Sequence, residues 1–164
     1  MYQSLFETSF GLGLVTASEV GMLQVCLPPI GEPQEGRSSS EITRRAASLL
    51  TRYWAGEAID FEGLPVDLTG VSPFRQQILH LAALIPYGRV QTYGDLAREA
   101  GYPAAARAVG GAMAANPIPI IIPCHRVVAA SGQLTGYSAP GGLIMKKYLL
   151  CLEGVDFRGE RVVL

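Results

Sequence analysis

Residues 92–115 read Thr92-Tyr93-Gly94-Asp95-Leu96-Ala97-Arg98-Glu99-Ala100-Gly101-Tyr102-Pro103-Ala104-Ala105-Ala106-Arg107-Ala108-Val109-Gly110-Gly111-Ala112-Met113-Ala114-Ala115. Thr92 with Asp95 three residues on has the form of a capping box, which predicts a short helix through Ala100. Gly101-Tyr102-Pro103 is a tight turn, and Ala104–Ala115 continues as a second, alanine-rich helix. Two short helices joined by a three-residue turn containing glycine outline a helix-turn-helix. Ordinary packing of two helices has the same outline, and the pattern alone does not separate them. The small side chains from Ala104 to Ala112 let the second helix approach another backbone closely, and Arg107 is its one long charged side chain. A slim helix with a single cationic probe suits a groove about 6 Å wide, the scale of the DNA minor groove.

Upstream, Ser72-Pro73 is an N-cap followed by proline at the first helical position, where its missing N–H does no harm. Phe74, Ile78, Leu81, Ala82 and Ile85 then form one apolar face, and Pro86-Tyr87-Gly88 ends the helix. Residues 1–28 alternate apolar and polar in short runs, which predicts two or three antiparallel strands with a turn near Ser18–Gly21. Pro28–Gly36 is a loop by composition. Ser38-Ser39-Ser40-Glu41 opens a helix carrying Ile42, Ala46, Leu49, Leu50 and Tyr53, with Gly56 as its stop. Ile59, Phe61, Leu64, Val66 and Leu68 predict a strand and then a linker. The expected division is a small α/β lobe over 1–71 and a mostly helical domain over 72–164.

Composition narrows the class. Hydrophobic residues make up 49% of the 164, and 13 Lys plus Arg stand against 14 Asp plus Glu. An apolar chain of mixed sign folds, and its near-neutral balance argues against binding driven by bulk charge while leaving room for a local basic face. The first ten residues have no basic segment and no apolar core of a secretory signal. The apolar run Ile118–Pro123 is too short to span a bilayer. Cys26, Cys124 and Cys151 form no paired framework, and only His80 and His125 are available as histidine ligands, so free thiols in a reducing cytoplasm are expected and no metal site is.

The chemistry concentrates in Ile122-Pro123-Cys124-His125-Arg126-Val127-Val128. A cysteine attacks as its thiolate, and a histidine one residue away can serve as base directly or through water. Neighbours on a strand point to opposite faces, so a Cys-His contact requires a turn, which Pro123 supports. A buried thiol beside a structural histidine would have the same sequence. Asn116 precedes the motif and is suited to bracing a turn through its amide. Gly136-Tyr137-Ser138-Ala139-Pro140-Gly141-Gly142 follows as a loop with an aromatic wall, and Leu143–Leu152 is helical, carrying Lys146 and ending at Glu153-Gly154.

Pro123-Cys124-His125-Arg126-Val127 resembles the active-site motif of the O6-alkylguanine-DNA alkyltransferases, the methylated-DNA–protein-cysteine methyltransferases. The resemblance extends through Arg107–Met113, Asn116-Pro117, Tyr148-Leu149-Leu150 and Glu153-Gly154, and covers roughly half the chain, from about Ser72 to Gly154. It implies an α/β chain of two lobes, a small ribonuclease H-like antiparallel sheet with a helix, then a mostly helical lobe with the helix-turn-helix and active-site loop. It implies binding of double-stranded DNA containing O6-alkylguanine, extrusion of the damaged nucleotide, and one irreversible transfer per molecule with no cofactor; the self-sufficient site makes a monomer the expectation. Cys124 would be the alkyl acceptor, deprotonated by His125 through a water. Glu153 would hold the far imidazole nitrogen, and Asn116 would tie the active-site turn to the helix pair. Tyr93 would press on the adjoining phosphate or donate to guanine N3, and Arg107 would fill the vacated stack. Tyr137 would wall the pocket, backbone groups near Cys124, Val127 and Ser138 would read the base edge, and Lys146 would lie over the pocket. Ala139-Pro140 departs from many members, which run straight into the glycine pair, and bears on tolerance for bulky alkyl groups. Ala114-Ala115 stand where some members place a basic residue, which implies modest DNA affinity. Two other readings stay open, a lesion-binding module without transfer and a helix-turn-helix regulator with an incidental thiol.

Overall fold

A computed structural model describes residues 1–31 and 38–164. The chain divides into two compact units, Met1–Thr69 and Gly70–Leu164.

In the first unit, β1 (Tyr2–Thr8), β2 (Gly11–Ala17) and β3 (Met22–Cys26) form an antiparallel sheet in sequence order. The turn between β2 and β3 is held by Ser18, whose Oγ accepts from Val20 and Gly21 N–H and donates to Asp67. Phe6 lies opposite Gly13, and its ring occupies the space a side chain there would need. Helix α1 (Glu41–Trp54) packs on β1 and β2, burying Ala46, Ala47, Leu50, Tyr53 and Trp54. Its capping box uses Ser40 and Thr43, and Thr43 also takes a hydrogen bond from Ser4 on β1 at 2.9 Å. Most of the expected loop 28–36 lies outside the described residues.

The strand expected over 57–71 does not form. Only Val66 makes a bridge, to Met22, with Met22 N–H donating to Pro65 O and Asp67 N–H to Met22 O, both at 2.8 Å. The apolar spacing breaks between Phe61 and Leu64. There the Asp60 carboxylate accepts from Glu62 N–H and Gly63 turns at φ 77°. The apolar side chains Ile59, Leu64 and Leu68 are buried all the same. Burial without a partner strand satisfies an apolar side chain but supplies no ladder.

The second unit begins with α2 (Pro73–Ala83), with Ser72 at the N-cap and Pro73 at the first position. A two-residue strand, β4 (Gln91–Thr92), leads into α3 (Tyr93–Glu99), where Thr92 and Asp95 complete the capping box. Helix α4 spans Ala106–Ala114, two residues later than the sequence indicates at its start. Ala105 caps it with no side-chain hydrogen bond, and Ala104 is taken into the turn because nothing there offers the orphan amide groups a better start. Helices α2, α3 and α4 pack on one another through Ile78, Leu79, Ala82, Leu96, Ala97, Val109 and Ala112. A 3₁₀ turn, Cys124–Arg126, runs into β5 (Val127–Val128), which pairs in parallel with β4. Helix α5 (Gly142–Leu152) and the hairpin β6 (Phe157–Arg158) and β7 (Arg161–Val162) complete it. Among the described residues, no helix is long and apolar enough to cross a membrane.

Candidate active site

The turn at Cys124 is built by Asn116. Its Nδ2 donates to Ile122 O at 2.8 Å, and its Oδ1 accepts from Ile118 N–H at 3.0 Å. Closing a chain reversal this short forces Ile120 to φ 72°, a conformation that β-branched residues avoid. Cys124 N–H donates back to Ile122 O, and Arg126 N–H to Pro123 O, which sets the 3₁₀ turn. Asn116 also hydrogen-bonds the Cys124 thiol. One side chain thus joins the end of α4 to the sulfur.

Cys124 is 6% exposed. Burial pushes its thiol above the ordinary value, against the Asn116 hydrogen bond, the Lys146 charge and nearby backbone N–H groups. The resting group is therefore a thiol. His125 is fully buried, and burial lowers its pKa against the pull of Glu153. The resting imidazole is neutral.

Its tautomer follows from Glu153. His125 Nε2 lies 2.7 Å from Glu153 Oε1, and Arg126 donates to the same carboxylate through Nε (2.8 Å) and Nη2 (2.9 Å). Gly88 N–H adds a fourth contact at 3.1 Å. Burial alone would raise the Glu153 carboxyl, but the hydrogen bonds and charges of His125 and Arg126 outweigh it and hold the group at about 2. An ionised carboxylate only accepts, so Nε2 carries the proton and Nδ1 is the basic nitrogen. Gly88 sits at φ 71°, and a Cβ there would meet Glu153 O at 2.9 Å. Glycine is what lets this backbone reach the carboxylate.

Lys146 lies on α5. It is completely buried, and Nζ donates to Val127 O (2.7 Å), Thr135 O (3.1 Å), Gly136 O (3.4 Å) and Tyr93 Oη (3.4 Å). An ammonium offers three protons, and carbonyls that converge at this depth are where they find acceptors. Burial lowers Lys146 to about 8, against the opposing effect of the Cys124 charge. Val127 O keeps a second lone pair beyond the one Lys146 takes.

Tyr93 opens α3, and its hydroxyl donates to Thr135 O at 3.0 Å, tying the helix start to the loop before Tyr137. Gly110 on α4 lies against the Tyr93 ring, where a larger residue would push the helix away. Tyr137 is partly exposed, but its hydroxyl is buried and has no hydrogen-bond partner among the described residues. Burial, with the Glu153 charge and that of Cys124 when it ionises, holds it well above the ordinary phenol value, so it remains a donor. Cys124, His125, Glu153, Asn116, Lys146, Tyr93, Val127 and Tyr137 are thus linked by contacts or by charge. Ser138 and Arg107 are exposed and stand outside these contacts, and Arg107 makes no hydrogen bond or ion pair among the described residues.

Sequence reasoning gave Arg126 no role. It is 5% exposed, grips Glu153 with two nitrogens, donates through Nη1 to Ile85 O at 2.6 Å and lies over the Tyr87 ring. An arginine inside the apolar run from Ile118 to Val128 was its available signal, because a guanidinium is almost never buried without a carboxylate. Among the described residues, no group of three or more His, Cys, Asp or Glu side chains stands together to hold a metal ion.

The family described as 6-O-methylguanine DNA methyltransferase, DNA binding domain, matches residues 73–155. A methylated-DNA–protein-cysteine methyltransferase of Methanosarcina acetivorans is 39% identical over 158 residues, covering 94% of this chain and 99% of the relative. The chain belongs to the methylated-DNA–protein-cysteine methyltransferase family. Another family relative, from Mycobacterium leprae, is 50% identical over 108 residues, which make up 66% of this chain and 63% of that protein. A DNA base-flipping protein of Thermus thermophilus is 41% identical over 135 residues, 82% of this chain and 86% of its own. Among solved structures, Mycobacterium tuberculosis OGT in complex with DNA matches at TM-score 0.78 and 34% identity, covering 93% of this chain and 92% of that one.

Proposed function

We propose that this chain repairs DNA by moving an alkyl group irreversibly from O6-alkylguanine in duplex DNA to Cys124. The observation that carries the reading is a cysteine turn whose neighbouring His125 is fixed by Glu153 as an Nδ1 base. A thiol kept neutral by burial is protected from casual oxidation and becomes a nucleophile when its proton is drawn off in the reaction. The proton leaves sulfur toward His125 Nδ1 through a bridging water, and Glu153 stabilises the imidazolium that forms. The S–C bond forms as the C–O6 bond breaks, and the proton passes to the departing guanine. The thioether product has no leaving group to restore the thiol, so each molecule turns over once. Those reactants balance without a metal or small cofactor.

Residues 1–71 are the ribonuclease H-like lobe, supported by the three-stranded antiparallel sheet backed by α1. Residues 72–164 are the DNA-binding and acceptor domain, with α3 and α4 as its helix-turn-helix. The small face of α4 suits the minor groove, which carries little sequence information and fits a protein that meets lesions anywhere. The base leaves the stack to reach Cys124, at a cost of a few kcal/mol that damaged pairing reduces. Arg107, exposed and without a partner among the described residues, fills the space left behind. Tyr93 acts at the adjoining phosphate or guanine N3. Tyr137 walls the pocket, with its unpartnered hydroxyl as a donor held for the substrate. Backbone groups at Cys124, Val127 and Ser138 read the base edge. The chain works as a monomer in the cytoplasm, a setting that suits its three free cysteines.

The similarity to a DNA base-flipping protein favours one second reading, a lesion-binding module without transfer. Duplex DNA with a labelled O6-methyl group separates the two. Transfer predicts stoichiometric label on Cys124, abolished in Cys124→Ser. Tight binding of the lesion with no label on the protein would establish the second reading.

A further inference from the structure

The hairpin β6–β7 places Arg158 directly opposite Arg161 across a two-residue turn, Gly159-Glu160. Facing residues of an antiparallel pair project from the same side of the ladder, and like charges so placed repel. Phe157 and Val162, on the alternate positions, pack into the apolar cluster of Val128 and Leu150. The hairpin is thereby anchored with both guanidinium groups on one side.

Neither arginine is neutralised. Among the described residues, no carboxylate lies within ion-pair distance of Arg158 or Arg161. The nearest acid in sequence, Glu160, is taken by Lys147 at 3.0 Å. Both arginines line a cleft of about 300 Å³ that Ala130, Ser131, Val162, Val163 and Leu164 complete. The Ser131 hydroxyl accepts from Gln133 N–H at 3.4 Å, which leaves its own proton free to donate. The floor is fixed by Val162 N–H donating to Gly132 O at 2.8 Å and by the Gln133–Arg161 bridge.

We propose that this cleft binds a phosphate oxyanion between Arg158 and Arg161, with the Ser131 hydroxyl as a further donor. A phosphate presents oxygens enough for two guanidinium forks and a hydroxyl at once. Binding one anion converts a repulsive cross-strand pair into a shared clamp. The source is either a phosphodiester of DNA or a free phosphate, and the site stands independently of alkyl transfer to Cys124.

The test uses the whole chain and two readouts, neither of which depends on alkylation. Inorganic phosphate is titrated while backbone amide resonances are followed. Saturable shifts are expected at Ser131, Gly132, Arg161 and Val162, at least tenfold weaker in Arg158→Gln/Arg161→Gln and retained in Arg75→Gln, which removes an exposed cation of α2 outside the cleft. Affinity for undamaged duplex DNA is then measured against salt. A phosphodiester in the cleft lowers the slope of log affinity against log salt by about 0.9 per lost phosphate contact in the double variant. An unchanged slope with phosphate binding lost assigns the cleft to a free anion. Phosphate shifts that survive in the double variant, or that vanish equally in Arg75→Gln, overturn the site. So does the absence of saturable shifts together with an unchanged slope.

Discussion

Replacing Glu153 with glutamine strips the charge from a carboxylate that accepts from His125, Gly88 and two nitrogens of Arg126. The surroundings hold that carboxyl at about 2 against an ordinary 4.5, a preference for the charged form of roughly 3 kcal/mol. Removing one member of a buried ion pair costs about 3–5 kcal/mol, because the Arg126 guanidinium stays buried without its anion. The two routes agree on a loss near 3 kcal/mol, or a melting temperature about 6–12 °C lower in a chain of this size. The sign with pH is fixed. A carboxyl lowered by folding stabilises the protein above its ordinary value, and that contribution is lost as pH falls toward about 2. Parent and variant therefore converge in acid. Chemistry should suffer separately, since an amide neither fixes Nε2–H nor supports the imidazolium. Single-turnover transfer of labelled methyl from duplex DNA, measured well below the variant's melting temperature, should slow by about a hundredfold to ten-thousandfold. A folded Glu153→Gln protein whose rate lies within threefold of the parent would refute the hydrogen-bond chain.

Other perturbations separate the remaining parts. Arg107→Ala should impair repair of duplex DNA far more than reaction with free O6-benzylguanine, and equal loss on both substrates removes the stacking role. Lys146→Met leaves the Val127, Thr135 and Gly136 carbonyls without their shared donor and should lower stability by about 2–3 kcal/mol in chemical denaturation. A loss under 1 kcal/mol would mean water replaces the ammonium freely. Burial holds the His125 pKa below its ordinary 6.5, so the transfer rate should stay level as pH falls to that value and decline only below it. A midpoint at or above 6.5 contradicts a buried neutral base. Asn116→Ala removes both hydrogen bonds that close the Cys124 turn, and transfer should slow by tenfold or more even to the free base. An unchanged rate there makes Asn116 dispensable to the turn.

The helices of the second unit were legible because their signals are local. Ser72-Pro73 and the Thr92/Asp95 box each mark a helix start within four residues, and the structure uses both. The motif around Cys124 was legible for the same reason. What stayed hidden depends on contacts distant in sequence. Arg126 reaches Glu153 and Ile85, 27 and 41 residues away, and no local pattern announces either partner. The burial of Lys146 likewise rests on the carbonyls of Val127, Thr135 and Gly136, which no local pattern around it announces. The missing strand after Ile59 failed on the same ground, since alternation reports which side chains are buried and says nothing of whether a neighbour exists to pair with.

The shared carboxylate has a consequence for descent. Because His125 and Arg126 lean on the same Glu153, no one of these codons can drift while the others stand still. A lineage abandoning alkyl transfer would have to cross a poorly folded intermediate, or else keep the whole trio as scaffolding after the sulfur is gone. Retention of His125, Arg126 and Glu153 in a descendant without Cys124 therefore testifies to architecture.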